Sequence, residues 1–486
     1  MRMDNFVGWL NNVLWSPPLI IICIVVGLFF SFATRFLQLR LIPDMLRQMF
    51  KGKSSDAGIS SFQALSVALS GRVGTGNIAG VATAIGLGGP GAVFWMWLIA
   101  FVGAATAYVE STLAQIYKVK QDGEYRGGPA YYIEKGTGMR WYGIVFAVAT
   151  IISLTFLMPG VQANAIAEGL NNAFGMNKIL TATIIAVLLG IIIFGGVKRI
   201  AGVAQFVVPF MALGYIIVAL IIILINFSEI PAVFALIFKS AFGAEATFGG
   251  IVGSAISWGV KRGIYSNEAG QGTGAHAAGA AEVSHPAKQG LVQAFSVYID
   301  TWFVCTATAF MILFTNMFST KAPDGTYLFN KMGTADPGPQ YTQAAVESVL
   351  PGFGSGFVAI SLFFFAFTTI MAYYYMSETN VAYLTRGKNN RWAILAIKIV
   401  SMAAVFYGCV KTSEVAWAFG DTGLGIMVWL NIIAILILMK PALVALKDYE
   451  RQKREGKDPV FDPEPLGIKN ADYWVEKKTE DKQEVS

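Results

Sequence analysis

The sequence predicts an all-α polytopic membrane protein of eleven spans. One helix stands ahead of two five-helix sets of opposite orientation, an inverted repeat. Three observations carry that prediction. The 486 residues are 55% hydrophobic and only 14% charged, whereas soluble chains carry roughly a quarter charged residues. Apolar stretches recur from Leu19 to Met439, many reaching the ~18 residues at which a helix crosses a bilayer. Two of these stretches are interrupted by glycine and small polar residues at matching places in the chain.

The first span, Leu19–Phe36, follows two prolines and is too long for a removable leader; it also lacks a small-residue cleavage site. The second, Phe62–Gly86, holds the first interruption. Val93–Tyr117, Ile144–Leu170, Ile179–Val197 and Gly202–Phe227 complete the first set. The seventh, Phe248–Ala277, is interrupted again. Lys288–Phe314, Gly356–Leu384, Trp392–Cys409 and Val415–Met439 follow. Ser228–Phe242 and Gln340–Leu350 read as short amphipathic pieces outside the bilayer. The chain thus divides into an N-terminal extra helix (1–40), a first repeat (60–227), a second repeat (228–440) and a tail (441–486). The tail is charged and poor in apolar residues, and is expected to be disordered.

Orientation follows the basic residues. Most of the 36 Lys and Arg fall in one set of loops and in the tail. This places the tail in the cytoplasm, and an odd number of spans then places the N-terminus outside. With its basic residues so distributed, the net charge of +6 is a topology signal and not a nucleic-acid footprint. Cys23, Cys305 and Cys409 each lie in an apolar run without metal-ligand spacing and read as core residues.

The first interruption lies in "SVALSGRVGTGNIAGVATAIGLGGPG", Ser66–Gly91, and the second in "KRGIYSNEAGQGTGAHAAG", Lys261–Gly279. Gly74–Ala79 fits the form G-x-G-x-x-A, but a dinucleotide fingerprint needs a preceding strand, and here apolar helix lies on both sides. Small residues also let helices cross closely, which would explain one cluster alone. Two clusters at corresponding places point to broken helices around a transporter site, because non-helical backbone at membrane depth survives only where it lines a protein cavity. The N-terminus of a half-helix attracts an anion such as a substrate carboxylate. The opposed ends offer carbonyls to Na⁺ or an ammonium group. A channel would need a repeated pore loop or ring of charges, and an enzyme a catalytic cluster; neither pattern is present in the sequence.

Three motifs, "SVALSGRVGTGNIAGVATAIGLGGPGAVFWMW", "YRGGPAYYIEKG" and "RGIYSNEAGQGT", resemble the alanine or glycine:cation symporter family, which includes the sodium:alanine symporters and adopts the LeuT-type fold. The resemblance covers about Pro17–Pro441. It implies a transporter, not an enzyme. The expected activity is sodium-coupled import of a small neutral amino acid, alanine or glycine, by alternating access through the inner membrane. Sodium is the coupling ion, the partners are the amino acid and the bilayer, and the chain works as a monomer. Proton coupling, or another neutral amino acid such as serine or glutamine, stays open. Tyr265 and Gln271 depart from the Phe and hydrophobic residue usual in the family.

By that resemblance Gly74, Thr75, Gly76 and Asn77 hold the substrate carboxylate and amine, with Tyr265, Ser266 and Asn267 at the second break. Gln162, Thr369 and Tyr373 complete the substrate site. Sodium is expected between Ser70, Val73 and Phe365, through carbonyls, and the hydroxyls of Thr368 and Thr369. Each reading has a plainer counterpart: a threonine in a spanning helix bonds its own i−4 carbonyl, Tyr373 could join an aromatic belt, and Gln162 could bond between helices. The intramembrane charges are Arg72, Glu110, Glu268, Asp300, Glu378 and Asp421, with Lys261 and Arg262 beside the second break. Such groups pair or face water. Glu268 is expected to pair near a gate, and Asp421 to be the nearest candidate for a proton. Which acid meets which base is not legible.

Overall fold

A computed structural model describes residues 3–485 apart from residues 53, 246, 387 and 389. The chain is helical almost throughout. An outer helix α1 (Met3–Leu14) turns at Ser16 into α2 (Pro17–Ala33), whose two prolines sit in the first turn, where no backbone donor is needed. A short α3 (Ile42–Met49) leads to α4 (Ser61–Arg72), which starts from a complete capping box made by Ser60 and Gln63. The chain then breaks, passes through a π-helical turn, Gly76–Gly80, and resumes as α5 (Val81–Gly88). The 25-residue α6 (Ala92–Ile116) follows.

A hairpin of β1 (Val119–Gln121) and β2 (Glu124–Arg126) and the short α7 (Pro129–Thr137) cap one face. Then come α8 (Arg140–Ile152), a π turn at Ser153–Leu157 and α9 (Pro159–Phe174). Next are α10 (Lys178–Ile193), α11 (Gly196–Ile225) and α12 (Ile230–Ala241). The second broken pair is α13 (Val252–Asn267) and α14 (Thr273–Gly279). Beyond it lie α15 (Pro286–Tyr298), a π turn at Ile299–Cys305 and α16 (Thr306–Phe314). The hairpin β3 (Ser319–Lys321) and β4 (Tyr327–Asn330) and α17 (Pro339–Val349) cap the other face. Three long helices and a final one complete the chain: α18 (Gly354–Thr385), α19 (Arg391–Val410), α20 (Ser413–Arg454) and α21 (Asp472–Val485).

Among the described residues, eight helical segments are long and apolar enough to cross a membrane, with shorter apolar helices at Gly76–Gly88 and Lys178–Ile193. Eight segments qualify where the sequence suggests eleven, for a physical reason. The second and seventh expected spans are split by their breaks, and the fifth is only 16 residues long. The amphipathic pieces appear as α12 and α17. Two features differ from expectation. Helix α1, not foreseen, packs on α20, where Asn11 Nδ2 donates to the Ala418 carbonyl at 2.8 Å. The tail is ordered: residues 441–454 continue α20, and Phe461, Tyr473 and Trp474 beyond it are buried. Its apolar residues are few but grouped, and grouping rather than total content lets a short segment dock.

Helix α6 lies at the centre, against α15, α13, α2 and α14, while α9 packs between α18 and α19. The α9–α19 crossing is set by glycine: a Cβ at Gly408 would run into the backbone of Gly160. The lipid side is plainly apolar, with Phe206, Phe210 and Leu224 of α11 all exposed.

Candidate functional site

Helix α4 ends because Val73 leaves helical geometry at φ −77°, ψ 86°. The freed backbone is held by side chains. The Gly74 N–H donates to Asn77 Oδ1 at 2.8 Å and the Thr75 N–H to Gln162 Oε1 at 2.9 Å. The Thr75 hydroxyl is buried and makes no hydrogen bond within the chain. The second break begins at Glu268, which takes the left-handed conformation at φ 57°, and Gly270 and Gly272 follow at φ 86°, a region glycine enters without strain. Here too side chains replace the lost ladder. Asn267 Oδ1 accepts from the Ala269 N–H at 3.0 Å, and Glu110 Oε2 from the Gly272 N–H at 3.2 Å. Asn431 Nδ2 donates to the Gly270 carbonyl at 2.9 Å and to Glu110 at 2.8 Å.

The two breaks face each other. A Cβ placed on Gly76 would stand 3.0 Å from the Ser266 Cα. Asp300 joins them from the π turn after α15: its Oδ1 accepts from Asn77 Nδ2 at 2.6 Å and from the Ser266 hydroxyl at 3.0 Å. Its Oδ2 accepts from the Thr301 hydroxyl at 2.7 Å. From α18, Thr369 presses on the first break, since a Cβ on Gly74 would strike Thr369 Oγ1 and come within 2.9 Å of Gln162 Oε1. Tyr373, one turn on, interacts with Gln162 and Glu268. Gly74, Thr75, Gly76, Asn77, Gln162, Ser266, Thr369 and Tyr373 therefore converge on one buried locus. Tyr265 lies at its edge, with its ring 4.9 Å from that of Trp417. Asn267 does not point into the locus: its amide donates to Thr301 Oγ1 at 3.3 Å and its oxygen caps the break. Gln271 also turns away, toward the sulfurs of Met158 and Met427.

At the expected sodium position the hydroxyls of Thr368 and Thr369 both donate to the Phe365 carbonyl at 3.0 Å. The Phe365 carbonyl thus accepts from two hydroxyls of its own helix, whereas the sequence reading had it facing a cation. The hydroxyl lone pairs themselves stay available, so the back-bond and a cation-facing role are compatible. The Ser70 hydroxyl is satisfied locally by the Val67 carbonyl at 2.7 Å.

The charges pair in ways the sequence did not disclose. Asp421 is no lone acid: Lys261 Nζ and Arg262 Nη1 both approach it at 2.7 Å, and the Arg262 guanidinium lies 3.9 Å from the Trp417 ring centre. Glu268 takes a hydrogen bond from the Thr273 hydroxyl at 2.7 Å and, among the described residues, makes no direct ion pair to a basic residue at a gate. Arg72 reaches across to Ser296 and to the Gln293 carbonyl on α15. Glu378 stands 3.9 Å from Arg126. Asp300, Thr301, Glu110 and Asn431 are the residues that motif reading left without a role. Their signal was present as polar residues inside apolar runs, but sequence gives no distance between runs. Among the described residues no group of His, Cys, Asp and Glu could hold a metal ion, and the three cysteines are free and buried.

A model of the sodium:alanine symporter family matches residues 1–463. The chain is 68% identical over 484 residues to a protein of Bacillus subtilis (strain 168) provisionally named a sodium/proton-dependent alanine carrier, with all of both chains covered. It is 58% identical over 434 residues to the sodium/proton-dependent alanine carrier protein of Bacillus sp. (strain PS3), covering 88% of this chain and 97% of that one. It is 45% identical over 461 residues to a Bacillus subtilis (strain 168) protein provisionally named a sodium/glutamine symporter, covering 94% of this chain and 93% of that one.

Proposed function

The chain belongs to the sodium:alanine symporter family, and from that premise we propose that it imports alanine or glycine with sodium by alternating access. The observation that carries this reading is the apposition of the two breaks. Bare backbone at Gly74 and Gly76 meets Ser266 and Thr369 in a buried, largely uncharged locus. Backbone N–H groups where the chain resumes at Gly76, together with the Thr75 hydroxyl, would receive the substrate carboxylate, aided by the helix dipole. The ammonium group would face the carbonyls that end α4 and α13 and the Asp300 carboxylate behind Ser266. Gln162 acts as a positioning residue, because its oxygen already holds the Thr75 N–H. Thr368 and Thr369, with carbonyls near Ser70 and Val73, would give sodium neutral oxygens, and Tyr373 would close the space against larger side chains.

In this reading the eleven spans form one helix plus two inverted five-helix repeats. The N-terminus lies outside and the tail inside, and the Lys261–Arg262–Asp421 cluster guards the outer side. The bilayer is the only macromolecular partner invoked, and a monomer suffices.

A second reading is favoured by a specific observation. Asp300 is buried, bridges both breaks and lies beside the proposed ammonium site. It replaces Asp421 as the candidate for a coupled proton, in keeping with relatives named as sodium/proton-dependent carriers. Glutamine and serine are the alternative substrates, the glutamine relative being the more distant one. Counterflow of labelled alanine in proteoliposomes, against a panel of amino acids with and without Na⁺, tests the proposal. Alanine and glycine should compete and leucine should not. Counterflow indifferent to alanine would overturn it.

A further inference from the structure

We propose that residues 455–479 form a strap that clamps the cytoplasmic ends of both broken helices and releases when the site opens inward. The assignment of this face to the cytoplasm rests on the transport reading above.

The strap begins where α20 ends. The Phe461 N–H donates to the Ser284 carbonyl at 2.9 Å, the Ser284 hydroxyl to the Pro459 carbonyl at 2.8 Å, and Asp458 pairs with Lys288 at 2.8 Å. All three contacts fall at or just after the link from α14 to α15. At its far end, Trp474 Nε1 donates to the Gln115 carbonyl at 2.9 Å, the Tyr473 hydroxyl to that of Tyr125 at 2.9 Å, and Lys477 pairs with Glu282 at 2.7 Å. The Lys118 ammonium, at the end of α6, faces the rings of Tyr125, Tyr473 and Trp474 at 4.4, 4.5 and 5.2 Å. The strap thus joins the end of α6, the first hairpin and the link after α14.

That link is itself bonded to the lead-in of α4. The Ile59 N–H donates to the Ala280 carbonyl at 3.1 Å and the Glu282 N–H to the Ile59 carbonyl at 2.8 Å. Holding Glu282 therefore holds the cytoplasmic ends of α4 and α14 together. A cavity of about 480 Å³ lies beneath, lined by Lys51, Ser61, Glu282, Lys288, Asp458 and Lys477. An inward opening of the breaks would pass through this region, under the strap. Its ion pairs are partly exposed and individually weak, so docking depends on the buried aromatic rings. Such a contact suits a segment that detaches while the helices stay folded.

The test places a reporter at Ser61→Cys, which is buried at the start of α4. A membrane-impermeant maleimide is applied to inside-out vesicles containing the full chain. Adding Trp474→Ala should raise the labelling rate by about fivefold or more, as expected when contacts worth a kcal/mol or so are lost. Lys477→Glu, which sets two carboxylates against each other at Glu282, should raise it too, and Glu282→Lys added to it should return it toward the parent rate. The charge-reversed pair decides the matter if Trp474→Ala does not fold. Labelling no faster than the parent in the strap variants overturns the strap. Alanine counterflow by the parent chain in the same vesicles tests the transport reading separately.

Discussion

At the scale of single residues, the sharpest demands are made by Gly74 and Gly76. Neither uses a positive φ; each is glycine because side-chain or backbone atoms already occupy the place of a Cβ. Gly74→Val and Gly76→Val should therefore insert normally yet lose alanine uptake by about two orders of magnitude, the scale of a one-ångström misplacement of a binding group. Immunoblots of membranes alongside uptake check this, and wild-type uptake by either variant contradicts it. Tyr373→Ala should admit leucine as a competitor of alanine, and competition curves for wild type and variant would show it. Asp300→Asn keeps an oxygen for Asn77 and Ser266 but removes the charge. Any stimulation of uptake by a pH gradient should vanish in it, and an unchanged response would assign no proton to Asp300. The glycines were legible because two Gly-rich clusters interrupt apolar spans at corresponding places, which a close helix crossing alone would not explain. Asp300 was visible only as a charge in an apolar run, since its partners come from helices more than 30 and 220 positions away.

At the scale of elements, each broken helix is stabilised by side chains from intact ones. Glu110 of α6 and Asn431 of α20 hold the second break, and Gln162 of α9 holds the first. This division explains what sequence disclosed. Breaks show as a loss of apolar character, whereas the residues that repair them are single polar side chains with no local pattern. The hairpins at Val119–Arg126 and Ser319–Asn330 escaped for a related reason, being too short to show alternation. The Asp421 cluster shows the cost of reading one helix alone, because two cations from α13 pair with the acid expected to be the nearest candidate for a proton. Asp421→Ala should leave Arg262, which is 2% exposed, with its main charge partner gone. The expected loss is about 3 kcal/mol, seen as a lower melting temperature in detergent, with Asp421→Glu milder. An unchanged melting temperature would remove the pair from the stability of the fold.

At the scale of the whole molecule, sequence gave the helical membrane class directly from hydropathy, while the ordered tail was hidden by its charge. In the proposed reading one sodium moves with a zwitterion, which would make transport electrogenic and gain about 2.3 kcal/mol per 100 mV. An interior-negative potential should therefore accelerate uptake, and a valinomycin-imposed potassium potential in proteoliposomes would reveal it. The central claim is that α18 supplies the ion ligands to the first break. Its most direct test is initial alanine uptake against Na⁺ concentration for wild type, Thr369→Ala and Thr369→Ser. Losing one ligand worth about 1.4 kcal/mol shifts the half-maximal Na⁺ concentration about tenfold. Thr369→Ala should show at least that shift, and Thr369→Ser, which keeps the oxygen, should stay close to wild type. Three coincident curves, or wild-type uptake running equally well on a pH gradient without sodium, would contradict it.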